Sequence, residues 1–354
     1  MALTGHADGP GLGPPDGLVP KLDAIAAPLG VDPLHLLVER AALTGLTRNG
    51  TTSCGGATRL LPTRDGWIAL SLARPDDLAL LAAWLGIDAD APEPWAEIGA
   101  AVAGRATAVV LAAAEGLGLP LTALPPEQAP EPPHDLPVRW AAIDGGPGAD
   151  RPLDALHVVD LGSLWAGPLC GSLLAGCGAS VTKIESSARP DGTPSGSAEL
   201  FTRLNGAKAQ VSIDFTTATG RSELHDRLAG ADVVIEASRP RALRALGIDA
   251  EELLATASPR VWVSITGHGR TGADADRVAF GDDAAVAGGL VARDSLGDPV
   301  FCADAIADPA TGLVAAAAVL EALERGGRWL VDAPMAGVSR YLAGPTLPVP
   351  GGPR

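Results

Sequence analysis

The stretch from Leu156 to Glu185 constrains the fold of this chain more than any other part. An apolar, β-branched run ends at Asp160, and a glycine-containing turn separates it from an apolar helical segment, 169–175. A second β-branched run, 180–184, follows that helix. Strand, helix and strand over about 30 residues make a βαβ unit, and ligands of open α/β sheets bind at the carboxyl ends of such strands. We therefore expect a parallel sheet with a ligand site beside this unit.

Strands and helices continue to alternate after this unit. Strand-like runs lie at 209–215, 232–236 and 261–266, and helical runs lie at 221–228, 250–255 and 309–325. Alternation at this spacing predicts an α/β fold with a doubly wound parallel sheet. We assign residues 151–345 to this large, Rossmann-like domain. Within it, small apolar residues predict a helix over 281–292, and we expect an irregular chain over 298–307.

The rest of the chain follows different patterns. Residues 1–25 are rich in Gly and Pro, which predicts a flexible N-terminal segment. Residues 26–125 predict a small α/β domain, in which helical runs surround two strands joined by an Arg-Asp-Gly turn. The prolines of 126–150 predict a linker, because proline disfavours regular structure, and 346–354 are expected to form a C-terminal tail.

Charge and composition narrow the function. The net charge of the 354-residue chain is −16, which argues against nucleic acid and anionic membranes as partners. The four cysteines lack the spacing of a metal site, so we predict no metal. We find neither a signal peptide nor an apolar run of the ~18 residues that a membrane span needs. We therefore expect a reduced, cytoplasmic protein.

The βαβ unit also carries a resemblance to a known family. Its sequence, DLGSLWAGPLCGSLLAGCGASVTKIE, resembles the opening motif of the class III CoA-transferases. This family includes formyl-CoA transferase, carnitine CoA-transferase and α-methylacyl-CoA racemase. Three later blocks, at 204–221, 231–249 and 259–272, resemble the same family in the same order. The resemblance implies the family III fold, coenzyme A or an acyl-CoA as substrate rather than a tightly bound cofactor, a carboxylic acid as second substrate, and a homodimer.

The order of the two domains departs from that of the family. The segment DGWIALSL, 65–72, resembles the family's small domain, which usually follows the large domain but here precedes it. The segment 326–344 resembles the strand and helix that normally lead into the small domain. The resemblance therefore implies a circularly permuted chain. Permutation preserves a packed core where the old termini can be bridged, and the proline-rich linker would be that bridge.

Asp308 is the candidate catalytic residue. It is the third residue of the block IADPATGLVAAAAVLEAL, which resembles the family's catalytic block, in which the equivalent aspartate attacks an acyl-CoA thioester and is acylated. A purely structural interpretation exists, because Asp308 followed by Pro309 is also the expected N-cap and first residue of a helix. A helix N-terminus would stabilise the carboxylate in either case. Asp304 is the alternative nucleophile.

Gly55 and Gly56 are the second catalytic candidates. They follow Ser53 and Cys54 where the family has a glycine-rich loop that closes over the reacting acyl group. Glycines there allow close approach and present amide N–H groups to an oxyanion. An ordinary turn before a strand explains the same residues, and this sequence has only two glycines of the longer run.

Coenzyme A carries several phosphate charges, so its site needs cations or helix N-termini. By their place in the family's motifs, the candidates are Lys183, Arg189, Lys208, Arg239, Arg241 and Arg244. The resemblance also places Trp165, Ala166 and Gly167 along the pantetheine and thioester, and leaves His268 either in the pocket or in a loop. Trp165 stands where formyl-CoA transferase has glutamine, and Ala237-Ser238 replace the Asn-Phe pair that contacts adenine. The contacts to the adenine end therefore differ from those of formyl-CoA transferase.

The sequence is compatible with three functions. The first is transfer of CoA between carboxylic acids through acylated Asp308. The second is an acyl-CoA racemase on the same fold, which needs a second base; the family's racemase uses a histidine where this chain has Phe280, and Asp282 or Asp283 would have to substitute. The third is a catalytically silent CoA-binding protein.

Overall fold

The structure is a computed structural model of the 354-residue chain, and it describes residues 3–88, 90–92, 94–125, 136–144 and 151–344. The α-helices are α1 (Leu18–Ala26), α2 (Pro33–Thr44), α3 (Pro75–Leu85), α4 (Pro94–Ala103), α5 (Thr107–Ala113), α6 (Ala166–Gly176), α7 (Thr193–Gly196), α8 (Ala198–Asn205), α9 (Ala218–Ala229), α10 (Pro240–Ala245), α11 (Ala250–Thr256), α12 (Gly281–Ala287), α13 (Ala307–Arg325) and α14 (Met335–Ala343). The strands are β1 (Thr58–Pro62), β2 (Trp67–Ser71), β3 (Leu121–Ala123), β4 (Arg139–Ala142), β5 (His157–Asp160), β6 (Ser180–Ser186), β7 (Ala209–Ile213), β8 (Val233–Glu236), β9 (Val261–Thr266), β10 (Val291–Arg293), β11 (Pro299–Phe301) and β12 (Trp329–Pro334).

A seven-stranded sheet organises the C-terminal part of the chain. Its order is β4-β12-β9-β8-β5-β6-β7, and every neighbouring pair is parallel except β4 with β12. Consecutive β5 and β6 are neighbours, whereas β8 returns to the other side of β5. Such a reversal opens a crevice at the carboxyl ends of the strands, where ligands of doubly wound folds bind. The α/β prediction for the large domain is confirmed.

Helices cover both faces of this sheet. On one face, Val158 and Val233 join the core formed with α1, α6, α12, α13 and α14. On the other, Val159 and Val234 join the core formed with α9, α10 and α11. Neighbouring residues of one strand thus enter opposite cores, which explains why these strands are continuous apolar runs rather than alternating ones.

A three-stranded antiparallel sheet, β1-β2-β3, forms a smaller unit with α3, α4 and α5. Ile68 and Leu70 belong to its own core. Leu60 and Ala69, on the opposite face, pack against Val286 of α12 and Phe301 of β11. The small unit therefore docks on the segment that leads into α13.

The N-terminal part differs from the expectation of a flexible segment over 1–25. Residues 18–26 form α1, whose Leu18 and Leu22 are fully buried in the large core, and Leu3 and Thr4 are also buried. Helix α2, which we placed in the small domain, likewise packs on α13 through Leu37. Composition did not reveal these contacts, because the Gly/Pro-rich residues 9–17 precede a short apolar helix that meets its partners only in the folded chain.

Two short strands replace predicted features around 281–301. The helix predicted over 281–292 ends at Ala287, and β10 follows it; β11 occupies part of the segment predicted to be irregular. The two strands pair antiparallel across a turn, from Val291↔Phe301 to Arg293↔Pro299. Three-residue strands lack the length that a period-2 pattern needs to be recognised in sequence.

Of the predicted linker 126–150, residues 126–135 and 145–150 lie outside the described residues, as do 346–354 of the predicted tail. The described part of the linker contributes the edge strand β4, which pairs with β12. None of the helices in the described ranges combines the length and hydropathy that a membrane crossing requires.

Candidate active site

Asp308 lies in the first turn of α13. The helix begins at Ala307, and its N-cap is Ile306, so the prediction that Asp308 is the N-cap is wrong. The reason is local: the Asp308 N–H donates to the Ala305 carbonyl oxygen at 2.9 Å, which places the helix start before Asp308. The carboxylate is partly exposed and accepts no hydrogen bond from the described residues. It is therefore free to react, beside the positive end of the helix dipole.

Other carboxyl groups surround Asp308. Asp282 and Asp283 come from the first turn of α12, and Asp304 lies just before α13. Burial raises the pKa of Asp308 to about 7; the negative charges of its three neighbours raise it further, and Arg40 opposes them. Burial likewise raises the pKa of Asp282 to about 6 and that of Asp283 to about 7. These shifts are typical of functional sites.

Asp282 and Asp283 are held in different ways. Asp282 is partly exposed, its Oδ1 accepts the Ala305 N–H at 2.9 Å, and Ser53 also donates to it. Asp283 is buried, and its Oδ1 accepts from Ser71 Oγ at 2.8 Å and from the Phe280 N–H at 2.9 Å. Its Oδ2 is buried without a hydrogen-bond partner among the described residues. Asp283 thus links α12 to the small unit, while Asp282 faces the site.

Arg40 of α2 is the cation that the pKa shifts place beside this cluster. Its Nε donates to Asp304 Oδ2 at 2.7 Å, and its Nη2 donates to Asp304 Oδ1. The guanidinium carbon lies 5.2 Å from the centre of the Trp165 ring. The pKa of Arg40 is raised: burial opposes its charge, but Asp304, Asp282 and Asp308 outweigh burial.

The Ser53–Gly56 loop reaches the same cluster. A Cβ on Gly55 would lie 3.5 Å from Arg40 Nη2, and Cys54 Sγ donates to the Ala303 carbonyl oxygen at 3.4 Å. Gly55 and Gly56 are exposed, and Gly56 has φ of 81°. Burial and the charges of Asp304 and Asp282 raise the pKa of Cys54 to about 12, so it is no thiolate nucleophile. The structure thus brings the loop and the Asp308 region together within one chain.

Backbone strain is concentrated here. In the described part of the chain, the non-glycine residues with positive φ are Leu164 (67°), Ala303 (60°) and Ala305 (43°). Leu164 precedes Trp165, and the two alanines flank Asp304. Positive φ is unfavourable for residues with a Cβ, and such outliers persist at sites where the surroundings impose them.

The predicted pantetheine residues lie at the start of α6, beside α13. Trp165 and Ala166 are buried, and so is Gly167. The two helices approach closely: a Cβ on Gly312 of α13 would come within 2.6 Å of the Ala166 carbonyl oxygen. Gly312 thus allows the N-terminus of α6 to lie next to that of α13.

Lys183 and Lys208 do not face a ligand, which corrects their assignment to CoA binding. Both side chains are fully buried. Lys208 Nζ donates to Asp160 Oδ2 at 2.7 Å, to the Pro168 carbonyl oxygen at 2.6 Å and to Asn205 Oδ1 at 2.9 Å, which uses all three of its protons.

Lys183 has equally complete protein contacts. Its Nζ donates to the Gly162 carbonyl oxygen at 2.7 Å and to Asp191 Oδ2 at 3.0 Å, and lies 3.5 Å from Glu185 Oε1. Sequence reveals a positive charge at a strand end but not whether that charge is already paired inside the core. Both lysines organise the turn before α6.

The predicted arginines have more open positions. Arg189 is exposed after β6, Arg239 is half-buried as the N-cap of α10, and Arg241 and Arg244 are exposed on α10. Burial lowers the pKa of Arg239, and the charges of Arg241, Arg74 and Arg189 lower it further. These positive groups therefore face one another, although Arg241 also lies 3.8 Å from Asp276. Such a cluster at the carboxyl ends of the strands suits a phosphate-bearing ligand.

His268 follows β9 and is half-buried. Burial lowers its pKa to about 4, and the charge of Arg277 contributes. The imidazole is therefore neutral at physiological pH and offers no cation to a phosphate. No group of three or more His, Cys, Asp or Glu side chains within the described ranges is arranged to hold a metal ion. A surface depression of about 490 Å³ on α9 is lined by none of the candidate residues.

The sequence patterns did not identify Arg40 as a functional residue. It lies in a helical run with no motif, 264 positions before Asp304, so only the fold brings the two together. Asp282 was considered only as a substitute base. The available signal was its place beside Asp283 in the segment VAFGDDAAVAGGL, 278–290, whose other residues are apolar or glycine.

Comparison with known proteins shows the family of this chain. The model of "CoA-transferase family III" matches residues 153–347, more than half of the chain. An "Acyl-CoA transferase" of Fusarium pseudograminearum is 31% identical over 201 residues, covering 52% of this chain and 44% of that protein. A "Succinyl-CoA--D-citramalate CoA-transferase" of Chloroflexus aurantiacus is 32% identical over 187 residues, covering 50% and 46%.

Among solved structures, a CaiB/BaiF family protein from Brucella suis is 31% identical, covers 54% of this chain and 55% of its own, and has a TM-score of 0.48. The chain spans about half the length of the curated relatives it matches. The family model nevertheless covers the βαβ unit, the α12–α13 region and the helix that bears Asp308. The chain belongs to CoA-transferase family III.

Proposed function

We propose that this protein transfers coenzyme A from an acyl-CoA to a carboxylic acid, with Asp308 as the covalent nucleophile. The observation that supports this most is the Asp308 carboxylate itself. It is partly exposed, accepts no hydrogen bond from the described residues, lies in the first turn of α13, and has Arg40 as the nearby cation. A carboxylate that only stabilised the fold would be expected to have hydrogen-bond or ion-pair partners.

The reaction divides into balanced steps. An Asp308 carboxylate oxygen attacks the thioester carbonyl carbon; the C–S bond breaks, CoA leaves as a thiolate, and a mixed anhydride forms. The thiolate then attacks the Asp308 carbonyl carbon and releases the donor acid as its carboxylate, which leaves an aspartyl-CoA thioester. The acceptor carboxylate attacks the Asp308 carbonyl carbon of this thioester; the C–S bond breaks, and a second mixed anhydride forms. The released thiolate attacks the acceptor acyl carbon, which gives the acceptor acyl-CoA and returns Asp308 as a carboxylate. A series of easier acyl transfers thus replaces one difficult exchange.

The exposed loop residues Gly55 and Gly56 support this proposal. Gly55 lies next to Arg40, since a Cβ on it would lie 3.5 Å from Nη2, whereas the Gly56 N–H donates to the Ser53 carbonyl oxygen at 2.9 Å. Amide groups without side chains can approach the oxyanion of a tetrahedral intermediate. We propose them as the loop that covers the acyl group, and Arg189, Arg239, Arg241 and Arg244 as the cations for the CoA phosphates.

The test is a transfer assay with succinyl-CoA as the donor and a panel of carboxylic acids as acceptors, read by mass spectrometry. Succinyl-CoA is chosen because it appears in the name of the Chloroflexus aurantiacus relative. Asp308→Asn should fold, bind CoA and lose about three or more orders of magnitude in rate. Full activity of Asp308→Asn with loss in Asp304→Asn would move the nucleophile to Asp304. Full activity of both would exclude the covalent mechanism, and binding without transfer in the wild type would support a silent CoA-binding protein.

A racemase remains a second candidate because of one observation. Asp282 is a partly exposed carboxyl group whose charge raises the pKa of Asp308. Burial raises the pKa of Asp282 to about 6 and that of Asp308 to about 7, so the two values are close. Two such groups on opposite sides of an α-carbon could remove and return a proton. Incorporation of deuterium from D₂O at the α-carbon of a 2-methylacyl-CoA, lost in Asp282→Asn, would favour this function; its absence would exclude it.

Three further expectations stay predictions: the circular permutation, the homodimer and the cytoplasmic location. The permutation concerns the order of the two domains, and the family match covers residues 153–347, which do not include the predicted small domain. Light scattering at micromolar concentration tests the dimer, and a stable monomer would contradict it.

A further inference from the structure

We propose that Arg40 is the positioning residue of this site: anchored by Asp304 and supported by the Trp165 ring, its guanidinium supplies the positive charge beside the Asp308 carboxylate. The proposal rests on the proposed function for the role of Asp308, but its geometry stands by itself. Arg40 connects α2, the segment before α13, the N-terminus of α6 and the glycine loop, which are four parts of the chain far apart in sequence.

The anchor is a two-bond ion pair. Asp304 is fully buried, and both of its oxygens accept from Arg40, one from Nε at 2.7 Å and the other from Nη2. Paired hydrogen bonds fix the plane of a guanidinium as well as its position. The Trp165 ring, 5.2 Å from the guanidinium carbon, adds a cation–π contact on one face. Arg40 is thus held more rigidly than a half-exposed arginine usually is.

The charges that face Asp308 come from several elements. They are Arg40 of α2, Asp282 and Asp283 of α12, and Asp304 of the preceding segment. Helix α6 brings Trp165 and no charged side chain, and its Cys170 faces Asp160 and Lys208 instead. Asp332 of β12 is bonded to Thr266 and Arg270, and Lys21 of α1 to the Tyr341 and Gly344 carbonyl oxygens. Among these charges, Arg40 acts most strongly on Asp308, and its effect is opposite to that of the three carboxyl groups.

This arrangement has a chemical consequence. Burial and three neighbouring carboxyl groups raise the pKa of Asp308, and Arg40 is the group that lowers it. A nucleophilic carboxylate must be ionised, so without Arg40 a smaller fraction of Asp308 would be reactive at neutral pH. The same charge favours the negative oxygen that forms when the thioester is attacked. Asp304 holds Arg40 in place, and its negative charge only partly offsets the effect of Arg40 on the pKa of Asp308.

The test measures the ionisation of Asp308 directly and without any CoA. A water-soluble carbodiimide with glycine ethyl ester modifies protonated carboxyl groups, and mass spectrometry of the Asp308 peptide from pH 5 to 9 gives the midpoint. Asp308 is partly exposed, so the reagent can reach it. The variants are Arg40→Met, Asp304→Asn and the double variant; Arg40→Lys serves as the conservative variant, and circular dichroism confirms folding.

The expected order of midpoints is specific. Removing one repulsive neighbour in Asp304→Asn should lower the Asp308 midpoint, and removing the cation in Arg40→Met should raise it by about 1 to 2 pH units. The double variant should lie between the wild type and Arg40→Met, because Arg40 acts on Asp308 more strongly than Asp304 does. The double variant does not leave a buried, unpaired Asp304 carboxylate, so it can be measured even if Arg40→Met fails to fold. Arg40→Lys should remain near the wild type.

The matched control is Arg48→Met, which removes an arginine eight residues along the chain that donates to the His6 and Gly9 carbonyl oxygens and is not among the groups that shift the pKa of Asp308 most. Its midpoint should equal that of the wild type. An unchanged midpoint in a folded double variant would overturn the proposal for Arg40. Full transfer activity of Asp308→Asn would instead overturn the proposed function. The two failures are therefore distinguishable.

Discussion

Gly281, the first residue of α12, leaves room for the Asp308 carboxylate. A Cβ on Gly281 would come within 2.3 Å of Asp308 Oδ2 and 2.5 Å of the Ala305 carbonyl oxygen. Contacts this short cannot be accommodated without moving one of the two helices. Gly281 therefore determines how closely α12, with Asp282 and Asp283, approaches the start of α13.

We predict that Gly281→Ala displaces the Asp308 carboxylate and reduces transfer at least tenfold, while costing about 1 to 3 kcal/mol of stability, as overpacking does. The matched control is Gly99→Ala in α4, where a Cβ would meet nothing within 4 Å. That change should stabilise the protein by about 0.5 to 1 kcal/mol, because alanine favours a helix over glycine. Equal activity of the two variants in the transfer assay would contradict the prediction.

Asp283 predicts a dependence of stability on pH. Burial raises its folded pKa to about 7, above the value of about 3.9 for an unfolded aspartate. The folded chain therefore binds an extra proton between these values, so the stability contributed by this proton is full below pH 4 and is lost as pH rises through 7. Asp283→Asn, which keeps an oxygen for Ser71 and Phe280, should remove this decline.

Urea unfolding at pH 4.5 and pH 8 measures the effect. At pH 8, Asp283→Asn should be more stable than the wild type by about 1 to 3 kcal/mol, because a buried carboxylate oxygen without a partner is unfavourable. At pH 4.5 the two proteins should differ little. Equal loss of stability at both pH values would show that Asp283 is ionised and paired in the folded protein.

The sequence motifs predicted the parallel sheet and the position of Asp308, but not the charged residue Arg40 that lies at the site. Asp308 could be recognised because its block, Asp-x-x-x-Gly before an Ala/Leu helix, is continuous in sequence. The parallel sheet followed from apolar strands that alternate with helices. Arg40 could not be recognised, because its partner Asp304 lies 264 positions away and the intervening chain has to fold first.

The same limit explains the misassigned lysines. Lys183 and Lys208 stand at positions where a cation could meet a phosphate, and sequence shows neither burial nor partner. Their acceptors, such as the Gly162 and Pro168 carbonyl oxygens, are backbone atoms that carry no sequence signal at all. In contrast, Arg189 and Arg239 remain accessible, because the loops after β6 and β8 end at the surface.

We predict that Lys208→Met impairs folding rather than CoA binding. Loss of the ammonium group leaves Asp160 buried and charged, which typically costs about 3 to 5 kcal/mol. Arg227→Met breaks an exposed pair with Glu223 and should cost less than about 0.5 kcal/mol. Thermal unfolding compares the two. A Lys208→Met protein of normal stability with a raised KM for acyl-CoA would restore its assignment to the phosphate site.

Arg239 is expected to act on CoA affinity instead. It is half-buried among Arg241, Arg74 and Arg189, and a bound phosphate would relieve this repulsion. Arg239→Gln should raise KM for succinyl-CoA about 10- to 100-fold, the loss of one charge-assisted hydrogen bond, with little change in kcat. The KM for succinyl-pantetheine, which lacks the nucleotide phosphates, should not change. An unchanged KM for succinyl-CoA would exclude Arg239 from the phosphate site.

The most direct test of the covalent mechanism is chemical trapping on Asp308. Incubation with succinyl-CoA followed by hydroxylamine converts an aspartyl anhydride or thioester into a stable hydroxamate, which peptide mass spectrometry locates. We predict a hydroxamate on Asp308 that requires succinyl-CoA or another active donor, and none in Asp308→Asn. Transfer that proceeds with Asp308 unmodified, or with the hydroxamate on Asp304 or Asp282, would contradict the assignment of Asp308 as nucleophile.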